Sequence, residues 1–383
     1  MRPPQTRRSD GDPAGRRAAS RRKRHGPGIL RIAVRGRGRS PRRARNLAAC
    51  VRTGDDDKHV RRALTAAVRG RVSKGESLRP VPEDLRIDGK VCLVTGANTG
   101  LGKAVAIDLA RRGARVLMAC RSGHPRAGEE VKHLSGSRQV EMLRVDLADL
   151  DSVARLCDVL KSSARRLDIA VLNAGLIPRR ALRTPQGFEV MFAVNFLANR
   201  MLVARLLDDG LIRPRVQGEE APRIVLVGSE AHRSAGPIDF DRFGAFVDYG
   251  LRDSLKHYGL SKLHLCTYAQ ELSRRLNPAG ETRVAVHSLC PGPVATGIAR
   301  DAPAFLKPLI YPLMRLFCLS PRRAARPVIY LCCAAETGLR SGAYLHVMRE
   351  TRPSPLAMDE DAGTRLWRES GALLERHAPV SGT

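Results

Sequence analysis

Short apolar runs alternate with longer amphipathic segments along the chain from about Leu85 onwards. Each run is about five residues long and apolar at nearly every position, which is typical of parallel strands that are covered on both faces. The runs predict strands at Val91–Thr95, Arg115–Ala119, Gln139–Val145, Ile169–Leu172, Arg223–Val227, Arg283–Leu289 and Ala343–Val347. The segments between them predict helices at Leu101–Arg112, Asp149–Ala164, Gln186–Leu211, Ser254–Leu276 and Arg322–Ala335.

This alternation of strands and helices predicts an α/β fold. Because crossovers between parallel strands are right-handed, the elements are expected to form a single doubly wound, Rossmann-type parallel sheet with helices on both faces. We expect the domain to cover residues 79–383, including a C-terminal helical extension, and to follow a disordered basic tail over residues 1–78.

The tail differs sharply in composition from the rest of the chain. It is rich in Arg, Gly, Pro and Ser, and it has too few apolar residues to offset the entropy lost on ordering. Residues 1–80 hold 24 of the 67 Lys and Arg residues but only 6 of the 38 Asp and Glu residues. The net charge of +29 therefore describes mostly the tail.

Three interpretations of the tail stay open. A basic arm could bind nucleic acid or acidic lipid headgroups without sequence specificity. It could be a targeting peptide, although Asp55, Asp56 and Asp57 are unusual in one. Alternatively, translation starts downstream and residues 1–78 are a start-site artefact, since their composition resembles GC-rich DNA read as protein.

Composition also limits the kinds of site that the chain can carry. The nine cysteines form no C-x-x-C pair, which argues against a zinc site and a disulfide framework, so we expect no metal and reduced, buried thiols. No apolar run reaches the roughly 18 residues of a membrane span, and the N-terminus lacks the apolar core of a secretory signal. These features favour a cytoplasmic location.

A glycine-rich turn lies between the first predicted strand and the first predicted helix. Glycines in such a turn let a pyrophosphate approach the backbone, and the helix N-terminus supplies free N–H groups. A structural glycine turn is the alternative. The candidate cofactor-binding residues here are Gly96, Asn98, Thr99, Gly100, Leu101 and Gly102.

Cofactor choice depends on the end of the second strand, where NAD-binding sites carry an acidic residue. This chain has Arg121 there instead, which favours the 2′-phosphate of NADP and makes NAD the less favoured cofactor. A surface arginine is the alternative. Asp146 and Leu147 follow the third strand, and Asp146 is a candidate for the adenine amino group or a helix N-cap.

Tyr258 and Lys262 lie four residues apart in a predicted helix and so share one face. A nearby ammonium, together with a cationic nicotinamide, is expected to lower the phenol pKa towards the range that acid/base catalysis needs. Ser229 follows a strand at the edge where α/β folds bind ligands, and its hydroxyl can stabilise a reacting oxygen or cap a turn. Asn195 is a mid-helix asparagine, for which a polar role or simple solvation is plausible.

Together these residues resemble the short-chain dehydrogenase/reductase family. The matching segments occur in the family's order over roughly residues 85–350, and they are Thr95–Gly102, Asn173-Ala174-Gly175, Asn195, Ser229, Tyr258-x-x-x-Lys262 and Pro291-Gly292-Pro293-Val294. Ala119-Cys120-Arg121-Ser122 and Arg365-Leu366-Trp367 are similar to the cluster of retinol dehydrogenases and WW-domain oxidoreductases. Asn199-Arg200 departs from the Gly-His usual in that cluster, so helix packing or dimer contacts are expected to differ.

The resemblance implies a role for each candidate. Asn195 would hold a water relay, Ser229 would polarise the substrate oxygen, Tyr258 would act as acid/base, and Lys262 would tune Tyr258 and hold the nicotinamide ribose. Other residues are implied to line the cofactor, and they are Asn173, Ala174, Gly175, Pro291, Gly292, Val294 and Thr296.

The expected function is hydride transfer between NADP(H) and a small-molecule alcohol or carbonyl, in a protein that could form a homodimer. The apolar segment Ala304–Leu319 is expected to cap the pocket, which favours a lipophilic substrate. One alternative is a non-catalytic NADP-binding regulator on the same fold. Another assigns the function to nucleic-acid binding by the basic tail.

Overall fold

The computed structural model describes residues 77–163, 165–278, 280–294 and 319–377. Its strands form one sheet, with seven parallel strands and an antiparallel eighth, in the order β3-β2-β1-β4-β5-β6-β7-β8. The doubly wound parallel fold predicted from the sequence is therefore confirmed. The strands are β1 (Val91–Thr95), β2 (Arg115–Cys120), β3 (Val140–Arg144), β4 (Ile169–Leu172), β5 (Arg223–Val227), β6 (Ala285–Cys290), β7 (Tyr344–His346) and β8 (Arg349–Thr351).

Helices connect the strands and cover both faces of the sheet. In the described part of the chain they are α1 (Gly100–Arg111), α2 (Arg126–Ser135), α3 (Leu150–Ser162), α4 (Val190–Asp208), α5 (Ser254–Leu276), α6 (Pro321–Cys333), α7 (Pro355–Met358) and α8 (Glu360–Arg376). A 3₁₀ turn over Glu230–Ser234 follows β5, and α4 contains a π-helical stretch at Ala193–Leu197.

The two faces of the sheet carry separate apolar cores. Leu93 points to the face covered by α3, α4 and α5, while its neighbours Cys92 and Val94 point to the face covered by α1 and α6. Successive strand residues face opposite sides, so nearly every strand position is buried, as the continuous apolar runs predicted.

Apart from shifts of a few residues in the bounds of other elements, the structure differs from the sequence prediction at three places. Helix α2 was not predicted, because Gly128 interrupts its short apolar face. Strand β8 was also not predicted, since its residues are polar and only half-buried. The folded chain starts before Leu85, because Leu78 and Val81 pack against the core.

An N-terminal segment closes the β8 edge of the sheet. Ser77 forms an antiparallel bridge with Arg349, and the Leu78 N–H donates to the carbonyl of Met348 at 2.8 Å. Ser77 and Leu78 are thus ordered, although the predicted disordered tail included both. The rest of that tail, residues 1–76, lies outside the described residues.

Helix α4 is the one helix of the described residues that is long and apolar enough to cross a membrane. Its most apolar stretch is 78% buried inside the protein, as expected for a core helix. Thr296 and the predicted cap up to residue 318 lie outside the described residues.

Candidate active site

The glycine turn joins β1 to α1 at the edge where the carboxyl ends of β1, β4 and β5 meet. Gly96 and Gly100 adopt positive φ angles of 66° and 57°, which favour glycine. A Cβ on Gly102 would lie 2.4 Å from both the Asn173 amide nitrogen and the Gly96 carbonyl oxygen. The turn therefore closes tightly against α1 and β4 only because these positions lack side chains.

The first turn of α1 leaves its backbone donors available. Thr99 is the N-cap, but its side chain makes no capping hydrogen bond, and the first turn holds no acidic residue. Free N–H groups and the positive end of the helix dipole then face the crevice, an arrangement suited to a pyrophosphate. The Leu101 side chain packs into the core, so it contributes to the turn through its backbone.

Asn173 and Thr95 fasten the turn to β4. The Thr95 hydroxyl accepts hydrogen bonds from the backbone N–H groups of Asn173 at 3.0 Å and Ala174 at 3.1 Å. The Asn173 amide donates to the Thr95 carbonyl at 2.9 Å. These contacts shape the floor of the crevice, so the structure gives Asn173 and Ala174 a supporting position beneath the turn.

Arg121 and Asp146 face each other at the ends of β2 and β3. Arg121 is 68% exposed, and its guanidinium lies 3.8 Å from the Asp146 carboxylate. Asp146 accepts from the Ala148 N–H at 3.0 Å, whereas Asp149 is the residue that caps α3. The helix N-cap alternative for Asp146 is therefore wrong, and the Leu147 side chain is buried in the core.

Ser229 and Tyr258 meet at the opposite side of the crevice. Ser229 follows β5, and its hydroxyl caps the 3₁₀ turn by accepting from the Ala231 N–H at 3.2 Å. The Ser229 side chain also lies close enough to the Tyr258 phenol to influence its pKa. Burial raises the pKa of Tyr258 to about 12, and the neighbouring Ser229 side chain lowers it in part.

Lys262 lies one helical turn beyond Tyr258. Its ammonium is 5.8 Å from the centroid of the Tyr258 ring and donates to the Val227 carbonyl at 2.8 Å. The side chain is 3% exposed, and burial lowers the pKa of Lys262 to about 8. Burial is the largest influence on the Tyr258 pKa, so the lowering expected from a nearby ammonium together with a cationic nicotinamide stays a prediction.

Asn195 lies in the π-helical stretch of α4 and is fully buried. Its amide oxygen accepts from the Leu176 N–H at 2.9 Å, and its nitrogen donates to the Ser261 hydroxyl at 3.0 Å. The Ser261 hydroxyl donates in turn to the Tyr258 carbonyl at 2.9 Å. Asn195 is therefore linked to the helix that carries Tyr258.

Gly175 lets these groups come together. A Cβ at this position would lie 3.2 Å from the Asn195 amide oxygen and 3.4 Å from the Lys262 ammonium. The link through Ser261 was not predicted from the sequence. The sequence does contain a signal for this link, since Ser261 lies three residues after Tyr258 on the same helix.

The segment after β6 folds back over the carboxyl ends of β6 and β7. Gly292 has a φ of 84°, and a Cβ there would lie 3.1 Å from Val347. Pro291 is buried, and Val294 forms a parallel bridge with Leu319. The described residues thus bring all predicted site residues except Thr296 to the same edge of the sheet.

The described residues contain no group of three His, Cys, Asp or Glu residues arranged for a metal. The seven cysteines among them are all free and buried. Burial raises the pKa of the Cys266 thiol to about 12 and that of Cys290 to about 11, so neither is activated as a nucleophile.

Comparison with known proteins gives a consistent family. The family model described as short chain dehydrogenase matches residues 90–239. Retinol dehydrogenase 13 of Homo sapiens is 34% identical over 306 residues, which are 78% of this chain and 88% of that protein. Dehydrogenase/reductase SDR family member 13 of Bos taurus is 37% identical, covering 74% of this chain and 73% of its own.

Solved structures agree on the fold. An uncharacterised protein from Mycobacterium paratuberculosis superposes with a TM-score of 0.59 at 26% identity, covering 78% of this chain and 98% of its own. Pseudomonas aeruginosa RhlG, solved as an NADP active-site complex, superposes with a TM-score of 0.54 at 23% identity, covering 70% and 98%.

Proposed function

The chain belongs to the short-chain dehydrogenase/reductase family, and on that premise we propose that it transfers hydride between NADP(H) and an alcohol/carbonyl pair. The observation that carries the proposal is that Ser229 lies close enough to the Tyr258 phenol to lower its pKa, beside a buried Lys262 and across the crevice from the glycine turn. Oxidoreductase chemistry follows from the family. The cofactor preference, the acid/base role and the substrate are what we propose.

The cradle around Gly96, Gly100 and Gly102 fits a dinucleotide. Any side chain at Gly102 would collide with Asn173, and the uncapped N–H groups of α1 supply anion-binding donors. Arg121 at the end of β2 supports NADP over NAD, because an exposed guanidinium can form two parallel hydrogen bonds to a 2′-phosphate. NADP(H), when bound, supplies or accepts the hydride.

Tyr258 is proposed to exchange a proton with the substrate oxygen, and Ser229 to hydrogen-bond that oxygen. With a pKa raised by burial to about 12, the phenol carries its proton at neutral pH. It is therefore suited to donate a proton when a carbonyl is reduced. With a pKa lowered to about 8, Lys262 is still mostly protonated at pH 7 and keeps a positive charge near the ring.

A lipophilic substrate is supported by the surface beside Tyr258. Ile177 is 42% exposed and Leu255 is 54% exposed, and a 2.6 Å hydrogen bond from the Ser254 hydroxyl to the Pro178 carbonyl joins the start of α5 to the segment that carries Ile177. Leu255 lies one helical turn before Tyr258. The relatives named retinol dehydrogenase support the same substrate class. A cytoplasmic location and a homodimer stay predictions.

Cofactor binding and turnover test the proposal together. We expect purified protein to bind NADPH more tightly than NADH and to reduce members of a panel of apolar aldehydes and ketones. Tyr258→Phe should keep NADPH binding and lose turnover by about 100-fold or more, the range of general acid catalysis. Tyr330→Phe is the matched control, because its hydroxyl bonds Glu336 in a distant part of the fold.

Two results would count against the proposal. Equal turnover by wild type and Tyr258→Phe would remove Tyr258 from the chemistry. NADPH binding without reduction of any carbonyl in the panel, and without oxidation of the matching alcohols, would favour the non-catalytic regulator.

A further inference from the structure

His232 lies behind Ser229 and is completely buried. Its Nδ1 is 2.7 Å from the Ser229 carbonyl oxygen, and its Nε2 is 2.9 Å from the backbone nitrogen of Ser354. A carbonyl oxygen can only accept and a backbone N–H can only donate. The ring must therefore carry its proton on Nδ1 and a lone pair on Nε2, so a single neutral tautomer satisfies both contacts.

The turn that carries His232 is fastened to the C-terminal part of the chain at further points. The Tyr344 hydroxyl donates to Glu230 at 2.8 Å, and Arg233 donates to the Arg352 carbonyl at 2.5 Å. The Tyr344 ring also meets the His232 ring edge-on, with centroids 5.3 Å apart. The turn is thus held by β7 and by the segment that leads into α7.

Helix α5 presses on the same turn from the side of Tyr258. A Cβ on Gly259 would lie 2.8 Å from the Ala231 carbonyl oxygen, so the turn and the helix are in close backbone contact. Ser229 therefore lies between two supports. The contact with helix α5 sets the distance between Ser229 and Tyr258, and the hydrogen bond from His232 fixes the Ser229 backbone.

We propose that His232 is a positioning residue, which holds the Ser229 hydroxyl against the Tyr258 phenol by linking the Ser229 carbonyl to Ser354. Ser354 lies 122 residues after His232 in sequence. The C-terminal segment at Ser354 therefore helps to align the Ser229 and Tyr258 hydroxyls. The inference rests on the proposed function, since it assigns a role within the same site.

The two ends of the ring can be tested separately by substitution. Asparagine at position 232 places an amide N–H near Nδ1 and keeps the bond to Ser229, but it is too short to reach Ser354. Glutamine places an acceptor near Nε2 and keeps the bond from Ser354, but it loses the bond to Ser229. Phenylalanine keeps the ring and loses both bonds.

The experiment compares His232→Phe, His232→Asn and His232→Gln for kcat, KM, NADPH affinity and Tm, with crystal structures of the three variants. We expect His232→Phe to lose about 100-fold in kcat, the scale of a 1 Å misplacement, with NADPH affinity unchanged. His232→Asn should stay within about 10-fold of wild type, whereas His232→Gln should resemble His232→Phe even at a similar Tm. His287→Phe is the control, a buried histidine that bonds Thr337 away from the site and should lower Tm alone.

The inference fails if kcat follows Tm across the variants, or if His232→Phe keeps wild-type kcat. It also fails if the Ser229 and Tyr258 hydroxyls stay in contact in crystals of His232→Phe. Those crystals separate the inference from the proposed function. A wild type that binds NADPH and reduces no carbonyl ends the proposed function, whereas movement of Ser229 in His232→Phe but not in His232→Asn supports the positioning role without any turnover.

Discussion

The two sides of the crevice are built in different ways. The nucleotide side is formed by glycines, backbone N–H groups and an exposed Arg121, so it acts through shape and accessible charge. The catalytic side is formed by Ser229, Tyr258 and a buried Lys262, which rest on further buried polar groups. Substitutions on the first side should therefore change cofactor affinity, whereas substitutions on the second should change kcat.

Ser229→Ala should give the largest effect. Loss of a hydroxyl that stabilises the reacting oxygen is expected to lower kcat by about 100- to 1000-fold. NADPH affinity should stay within about twofold, because Ser229 touches Tyr258 and the turn after β5, not the glycine turn. Steady-state kinetics and fluorescence titration measure the two quantities.

Ser234→Ala is the control for this prediction, since its hydroxyl lies in the same turn and donates to the Ala231 carbonyl at 2.8 Å. A large rise in the NADPH dissociation constant of Ser229→Ala would show that the two sides are not separable.

Gly102→Ala should have the next largest effect, and it should change stability and cofactor affinity instead of kcat. The new Cβ would meet the Gly96 carbonyl at 2.4 Å, so the turn must shift. We expect a loss of about 1–3 kcal/mol in the free energy of unfolding, as for overpacked sites, and a weakening of NADPH binding by about 10-fold or more. Urea unfolding and cofactor titration check both.

Gly236→Ala is the matched control, because nothing lies within 4 Å of a Cβ there. If Gly102→Ala lowered kcat at saturating NADPH as much as Ser229→Ala does, the proposed division of the crevice would be wrong.

Arg121→Ala tests the charged part of the nucleotide side. Removing the guanidinium should reduce the preference for NADPH over NADH by about 10-fold, as expected for the loss of one charge-assisted hydrogen bond to the 2′-phosphate. NADH affinity should hardly change. Arg126→Ala, an exposed arginine of α2, is the comparison, and an equal loss in both variants would indicate only a general charge effect.

The smallest predicted effect is a pH dependence of stability that arises in the part of the fold after β5. The buried histidines of the described residues all lie in or after the turn that follows β5, and they are His232, His264, His287 and His346. Burial lowers the pKa of His264 to about 3 and that of His287 to about 4, from an ordinary 6.5.

Because these histidines stay neutral in the folded protein and bind a proton when unfolded, stability is complete above about pH 6.5 and decreases as the pH falls below it. His264 and His287 should each lower the free energy of unfolding by about 0.7 kcal/mol between pH 7 and pH 6. Urea unfolding at both pH values measures this loss, and His264→Phe should reduce it. Hydrogen exchange that accelerates first in β1–β3 would contradict the assignment to the part of the fold after β5.

Much of the fold could be predicted because its strands are buried on both faces. Strands β1, β4 and β5 and helix α5 have the predicted bounds. A continuous apolar run, or a helical pattern repeated over many turns, determines where such an element begins and ends. Strand β8 could not be predicted, because it is held by its pairing with β7 and not by its own residues.

The candidate site divides in the same way. Short motifs identified Tyr258, Lys262 and the glycine turn, since each depends on local spacing. The support from His232 could not be predicted, because its partner Ser354 is distant in sequence and its chemistry depends on burial. The size of the burial effect on the Tyr258 pKa could not be predicted either, because it depends on how the folded chain surrounds the phenol.

The Ser77–Arg349 bridge has a consequence for handling the protein. An open outer strand offers unpaired N–H and C=O groups on which other chains can add, and this is a common start of aggregation. Ser77 and Leu78 cover that strand at Arg349 and Met348. A shortened chain should therefore keep these two residues, and one that begins after Leu78 is expected to precipitate more readily at high concentration.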